Sequence, residues 1–214
     1  PLWQVLLRSQ NGHINVVEPS GPPEYRSVGA DGLQLTMRWR EPVEGGHLVF
    51  TAHVTLDADS PMSFWRCDVS SSGPAATWEV VYPRLNGLTR LEGNGAKDAL
   101  AIPWQYGGVV PDPMGCIEGG GSRAYGISMH YGFYDAEDAV GKKESKIAFS
   151  YPGMWSLQFM AFYNPEYGGI YYAAHDPEAR YKRFGLYGNK GEARADLLMQ
   201  HYPDERVQAR LPYS

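Results

Sequence analysis

The sequence predicts an all-β protein built as a large antiparallel two-sheet β-sandwich. Apolar and polar residues alternate in segment after segment, and Gly, Pro, Asp and Ser separate these segments. Only residues 192–199 are rich in good helix formers, and we favour a strand there as well. We therefore expect ten to twelve strands in a single domain that covers residues 1–214.

The clearest pattern is a hairpin near the amino-terminal end. Residues 33–40 and 48–56 each place apolar residues at every second position, and the turn residues at 41–46 lie between them. Further strand patterns follow at 64–69, 77–82, 146–151, 156–163, 170–175, 181–187 and 193–202. All of these segments fit the one-sided burial of an antiparallel sandwich.

A long Gly-rich and aromatic loop is predicted at 103–146. Its aromatic residues are interleaved with Gly, Pro and Asp, and three consecutive glycines stand at 119–121. Loops of this length are uncommon and are often functional. Two interpretations stay open: a loop over a groove or docking surface, or an insertion that caps one end of the sandwich.

The composition limits the classes of partner. The chain carries a formal net charge of −5, and no basic stripe is visible, so we expect no nucleic-acid partner. No apolar run approaches the ~18 residues that span a membrane, so we expect no membrane partner. Fifteen Tyr and six Trp fit surfaces that are both apolar and hydrogen-bonding, as sugar-binding surfaces are, although a large core with half-buried Tyr fits too.

Motifs for catalysis and metal binding do not appear. The six His have no metal spacing, and Cys67 and Cys116 have no nearby partner, so no metal or cofactor is expected. A disulfide between the two cysteines stays open. The pair Asp57 and Asp59 fits a strand-ending turn better than a calcium loop. The cluster His175, Asp176 and Glu178 lies at a predicted strand end, where Asp176 either serves a site or caps its own turn.

Two segments resemble a known family. YPGMWSLQFMAFY at 151–163 and GGIYYAAHDPE at 168–178 resemble the amino-terminal β-sandwich of large bacterial glycoside-hydrolase-like proteins. That domain is of the galactose-mutarotase-like or supersandwich type and precedes a catalytic (β/α)8 barrel. These proteins look distantly similar to endo-α-N-acetylgalactosaminidases. Residues 1–5, 60–66 and 211–213 also fit this likeness.

The resemblance implies a non-catalytic accessory domain of a probable glycoside hydrolase. The catalytic carboxylates of such enzymes lie on the barrel, so none is assigned to this chain. The domain would support or contact the sugar cleft, with carbohydrate and the barrel of the same polypeptide as its partners. A secreted or periplasmic location is favoured over a cytoplasmic one. The residues expected at the carbohydrate or interdomain surface are Trp104, Trp155, Gln158, Tyr163, His175, Asp176 and Glu178.

Two alternatives remain. A free-standing carbohydrate-binding module would use Trp155, Gln158 and Tyr163 beside His175 and Asp176. Trp155 and Gln158 are an odd number of residues apart, so a shared site needs a bulge or an early strand end. A sandwich-fold lyase or mutarotase would instead need a histidine base, for which His53 and His175 are the candidates.

Overall fold

The computed structural model describes residues 1–30, 32–93, 95–104, 107–119, 144–153 and 155–203. It confirms the all-β prediction, because this part of the chain contains fourteen strands and one short helix. The chain divides into two compact units, Pro1–Pro83 and Arg84–Ser214, and the boundary falls within strand β7. The prediction of one domain over 1–214 and the supersandwich subtype stay predictions.

The first unit is a two-layer antiparallel sandwich. One layer has the order β2-β1-β7 and the other β3-β4-β5-β6. Its core is aromatic: the rings of Trp3 and Phe50 stack with centroids 4.4 Å apart, and Trp39 and Tyr82 contact Phe50 edge-on. The strands are β1 Gln4–Arg8, β2 Ile14–Val17, β3 Tyr25–Val28, β4 Gln34–Val43, β5 Gly46–Leu56, β6 Ser63–Ser71 and β7 Ala76–Leu88.

The predicted hairpin is present as β4 and β5, but its turn is shorter than expected. Pairing continues to Val43 opposite Gly46, so only Glu44 and Gly45 form the loop. Gly45 has φ 70°, which a two-residue hairpin turn requires. Within this extension, Glu41 is buried and accepts a hydrogen bond from the backbone N–H of Ser20 at 3.0 Å.

The second unit also packs two antiparallel layers. One has the order β10-β13-β14 and the other β12-β11-β8-β9, with the short helix against the shared core. In that core the ring of Trp155 lies between Phe149 and Phe184, with centroids 5.8 and 5.0 Å away. The elements are β8 Ala99–Ile102, β9 Gly108–Pro111, α1 Pro113–Glu118, β10 Glu144–Tyr151, β11 Phe159–Asn164, β12 Gly168–Ala173, β13 Lys182–Asn189 and β14 Ala195–His201.

Several expectations are refined. The strand favoured at 193–202 is confirmed as β14, whereas β9 and α1 lie inside the segment predicted as a long loop. The remainder of that segment, at 105–106 and 120–143, lies outside the described residues. The four-residue strands β2, β3, β8 and β9 were not predicted, because an apolar–polar alternation over four residues is too short to be recognised.

We expect Phe50→Ala to lower the free energy of unfolding by about 3–5 kcal/mol, since it removes a fully buried ring from a close-packed aromatic cluster. Urea unfolding followed by near-ultraviolet circular dichroism measures the change. Phe64→Ala is the matched control: Phe64 lies on the next strand and is 52% exposed, so its loss should cost below about 1 kcal/mol. Equal losses in the two variants would contradict the assignment of Phe50 to the core.

Candidate functional site

An uncharged aromatic surface covers one layer of the second unit. Along β11, Met160 and Phe162 are buried in the core, so Phe159, Ala161 and Tyr163 lie on the outer side. Register extends this outer row, because Ala161 pairs with Tyr171 on one side and with Ala101 on the other. Ala101 in turn pairs with Val109. We call this surface the aromatic face and define it by Ala101, Val109, Phe159, Ala161, Tyr163 and Tyr171.

The aromatic face has a shallow centre with raised sides. Phe159 and Tyr163 are four residues apart on one strand, a separation of about 13 Å, and Ala161 lies between them. Tyr171 stands beside Ala161 on the edge strand, and its ring stacks on Phe159 with centroids 5.7 Å apart. The centre is therefore floored by two alanines and bordered by three rings.

The aromatic face is open to solvent at its margins and carries no charge on its strands. Val109 is 59% exposed and Tyr171 is 50% exposed. All residues of β8, β9, β11 and β12 are described, and none of those on this side is ionisable at neutral pH. Beyond the ends of β8 and β11, Lys97 and Glu166 form an ion pair at 2.5 Å.

The predicted tryptophans do not lie on this surface. Trp155 is 1% exposed and its indole belongs to the core, so it offers no ring face to a ligand in this structure. Trp104 is half-buried, packs against the same core and pairs with Trp155 through a β-bridge. Of the predicted aromatic residues, only Tyr163 belongs to the aromatic face.

The predicted polar residues meet at the end of the sandwich, around a lysine that sequence analysis missed. The ammonium group of Lys182 donates to Gln158 Oε1 at 2.7 Å, to Asp176 Oδ2 at 2.8 Å and to the Arg180 carbonyl at 2.6 Å. Gln158 also donates to the Asp176 carbonyl at 2.8 Å. We call Gln158, Asp176 and Lys182 the lysine clasp. It joins β13 to the segments that precede β11 and follow β12.

Gln158 reaches this position because β11 begins one residue later, at Phe159. Gln158 therefore lies outside the strand, as a site shared with Trp155 would require. Trp155 is nevertheless buried in the core and does not contribute to such a site. The sequence does contain a pattern that marks Lys182 as unusual. It shares the alternation of Phe184 and Leu186, so a lysine stands where the pattern predicts a core residue.

The loop that follows β12 is shaped by Asp176. Its carboxylate accepts the backbone N–H groups of Glu178 at 3.0 Å and Arg180 at 2.9 Å, so Asp176 does cap its own turn. Glu178 is exposed and forms an ion pair with Arg180, and His175 is exposed beside the turn. The loop holds Ala179 at φ 53°, a left-handed conformation that is unfavourable for alanine.

In the lysine clasp, burial and pairing have opposite effects on the pKa of each charged group. Burial acts to raise the pKa of Asp176, but the hydrogen bonds from Lys182 and from two backbone N–H groups outweigh it and hold that pKa below its usual range. Burial lowers the pKa of Lys182, and the contact with Asp176 limits the decrease. The ionised Asp176 therefore stabilises the fold above its unfolded pKa near 3.8, and this contribution is lost as the pH falls through the lowered value.

The lysine clasp is suited to holding the sandwich closed rather than to proton transfer. All three N–H donors of Lys182 are used by neighbouring acceptors, and its side chain is 2% exposed. A general acid or base must instead reach a substrate proton. The clasp therefore adjoins the Phe159 end of the aromatic face as a rigid support.

The histidine candidates are in separate units. His53 lies in the first unit on an open sheet, where its ring contacts Asp68 Oδ2 at 3.0 Å and Thr36 Oγ1 at 3.2 Å. His175 lies in the second unit. Cys67 and Cys116 are free thiols, and burial raises the pKa of Cys67 to about 12, which suppresses the reactive thiolate.

Within the described ranges, no group of three or more His, Cys, Asp or Glu side chains is arranged to hold a metal ion. In the same part of the chain, no helix has the length and apolar character needed to cross a membrane. Comparison with protein families, with curated proteins and with solved structures found no match to this chain.

We expect Lys182→Met to lower the free energy of unfolding by about 2–3 kcal/mol, because it leaves the partly buried Asp176 carboxylate without its cation. Lys97→Met is the matched control: the Lys97–Glu166 pair is half exposed on both sides, so its loss should cost at most about 1 kcal/mol. Urea unfolding at neutral pH compares them. A smaller loss for Lys182→Met than for Lys97→Met would rule out the clasp as a stabilising contact.

Ala179→Gly should raise the free energy of unfolding by about 0.5–1 kcal/mol, since glycine adopts a φ of 53° without strain. Thermal unfolding would show a higher midpoint. The opposite substitution provides the control: Gly168 has φ +86° and open space around it, so Gly168→Ala should lose stability through backbone strain alone. If both variants were destabilised, the strain at Ala179 would not be real.

Proposed function

We propose that this chain is a non-catalytic accessory β-sandwich of a carbohydrate-active enzyme, and that its aromatic face contacts carbohydrate. The observation that carries the proposal is the arrangement of Phe159, Tyr163 and Tyr171 around the alanine floor of an uncharged, solvent-open sheet face. An exposed apolar surface of this kind lowers the solubility of a protein unless a ligand or a partner covers it.

The chemistry of the face fits a sugar. A pyranose ring has an apolar C–H surface and a rim of hydroxyl groups. Tyr163 and Tyr171 offer ring carbon to the first and phenolic oxygens to the second, and this dual character places tyrosine where a surface is half apolar and half wet. The alanines at 101 and 161 leave room for such a ring to approach the sheet.

A binding role fits the chain better than a catalytic one. Glycoside hydrolysis needs two carboxylates that face one another across a sugar cleft. Asp176 is held by Lys182 and by its own turn, and Glu178 is paired with Arg180. Under this proposal the catalytic carboxylates belong to a (β/α)8 barrel of the same polypeptide, and the galactose-mutarotase-like subtype is part of the proposal.

A second candidate function uses the same surface. The exposed Val109 and the absence of charge on these strands also suit a face that is covered by the neighbouring barrel. In that case Tyr171 would react with tetranitromethane in the isolated chain and be spared in a longer protein that contains the barrel. Tyr25 would react in both.

Isothermal titration calorimetry of the chain against a panel of soluble neutral oligosaccharides tests the primary proposal. We expect saturable binding to one class of sugar. Tyr171→Ala should weaken it at least about five-fold, which corresponds to about 1 kcal/mol for one lost aromatic contact.

Tyr25→Ala provides the control, because Tyr25 is a tyrosine of closely similar exposure, 53% against 50%, on an edge strand of the other unit. It should bind the sugar as the unmodified chain does. No heat with any sugar, or equal weakening in the two variants, would contradict carbohydrate contact at the aromatic face.

A further inference from the structure

The outer side of the β3-β4-β5-β6 sheet collects basic residues from three strands. Along β4, the buried Trp39 faces the core, so Arg38 and Arg40 lie on the other side. In the strand register, His53 on β5 lies between Thr36 on β4 and Arg66 on β6. Asp68 on β6 lies two strands away from Arg38 on β4. We call this surface the arginine face and define it by Arg38, Arg40, His47, His53 and Arg66.

Two of the three arginines on this face, Arg38 and Arg40, have no carboxylate partner among the described residues, whereas Arg66 has one. Asp68 is the one acidic residue that these four fully described strands place on it, and that carboxylate is shared between His53 at 3.0 Å and Arg66 at 3.5 Å. Arg40 contacts the ring of His47 at 3.2 Å. Arg38 is exposed and has no ion-pair partner among the described residues.

This surface stands out in a chain whose formal net charge is −5. Arginines that are exposed and not paired with carboxylates keep their donors available, and the planar guanidinium matches a carboxylate in bidentate geometry. Arg38 and Arg40 are about 7 Å apart along one strand, and Arg66 lies two strands, or about 10 Å, from β4. Arg38 and Arg40 thus present two spaced anion-binding groups, and Asp68 offsets part of the charge of Arg66.

Between the arginines lie short polar side chains. Thr36 and Thr51 are on the same side of the sheet, beside His53. Their hydroxyl groups can donate to and accept from sugar hydroxyls. We infer that the arginine face binds an anionic polysaccharide whose sugars carry carboxylate groups, with Arg38 as a principal contact.

The arrangement favours such a polymer over a nucleic acid. Binding of single strands depends on aromatic rings that alternate with basic groups along a groove. Here the exposed rings of Tyr25 and Phe64 lie on the two outer strands, and the positions between the arginines hold threonine and histidine.

Calorimetric titration of the whole chain with oligogalacturonate, at low and at near-physiological salt, tests the inference. We expect binding that weakens as the salt concentration rises, because the contacts are between exposed charges. Arg38→Gln should bind about five-fold more weakly, in line with the loss of one solvent-exposed ion contact.

Arg26→Gln is the matched control. Arg26 is an exposed arginine on β3 that pairs with Met37, so it lies on the opposite side of the sheet from Arg38 while changing the net charge equally. Retained affinity in this variant supports the arginine face. The inference is overturned by equal weakening in the two variants, by no binding of oligogalacturonate, or by tighter binding of a single-stranded oligonucleotide.

This inference does not depend on the proposed function. Tyr171→Ala should leave oligogalacturonate binding unchanged, and Arg38→Gln should leave binding of neutral oligosaccharides unchanged. Failure of one surface is therefore distinguishable from failure of the other.

Discussion

The alternation of side chains along paired strands decides which residues of this chain become core and which become surface. Once a strand commits one set of residues to a core, the other set becomes surface, and register joins these leftover residues across the sheet. In the second unit, burial of Met160 and Phe162 leaves an uncharged aromatic surface. In the first unit, burial of Trp39 and Phe50 leaves a basic one. The two surfaces are thus consequences of the same rule applied to different residues.

The ends of the second sandwich follow a different rule, because polar groups that close a core must find partners there. At one end of β11, Gln158, Asp176 and the Arg180 carbonyl together accept from all the donors of Lys182. At the other end, Asn164 donates to Asp98 at 2.8 Å, and both side chains are 1% exposed. The lysine clasp joins the two layers, whereas the Asn164–Asp98 pair joins neighbouring strands of one layer. The polar residues at the Gln158 end of β11 are therefore engaged in structural hydrogen bonds rather than in catalysis.

The buried residues that support the sheet are distinct from the exposed residues that would contact a ligand. Residues buried in the clasp are committed to one another, whereas Tyr171 is half exposed and Tyr163 is partly exposed on the outer side of the sheet. A rigid sheet orders such rings before a ligand arrives, which reduces the entropy lost on binding. Binding sites on strands gain this advantage over sites on loops, and the aromatic face has it along its whole length.

The fold class, the main hairpin and most strand positions could be predicted from the sequence, because two-residue alternation is a local pattern. It also located Gln158 and Asp176 near a strand end and included Tyr163 among the candidate contacts. It did not find Tyr171, Lys182 or the arginine face. Those depend on which strands are neighbours and in what register, and residues 38 and 66 or 161 and 171 are brought together only by pairing. Trp155 shows the converse. Whether an aromatic residue in such a segment belongs to the core or to the surface depends on the layer that packs against it, and local sequence carries no information about that layer.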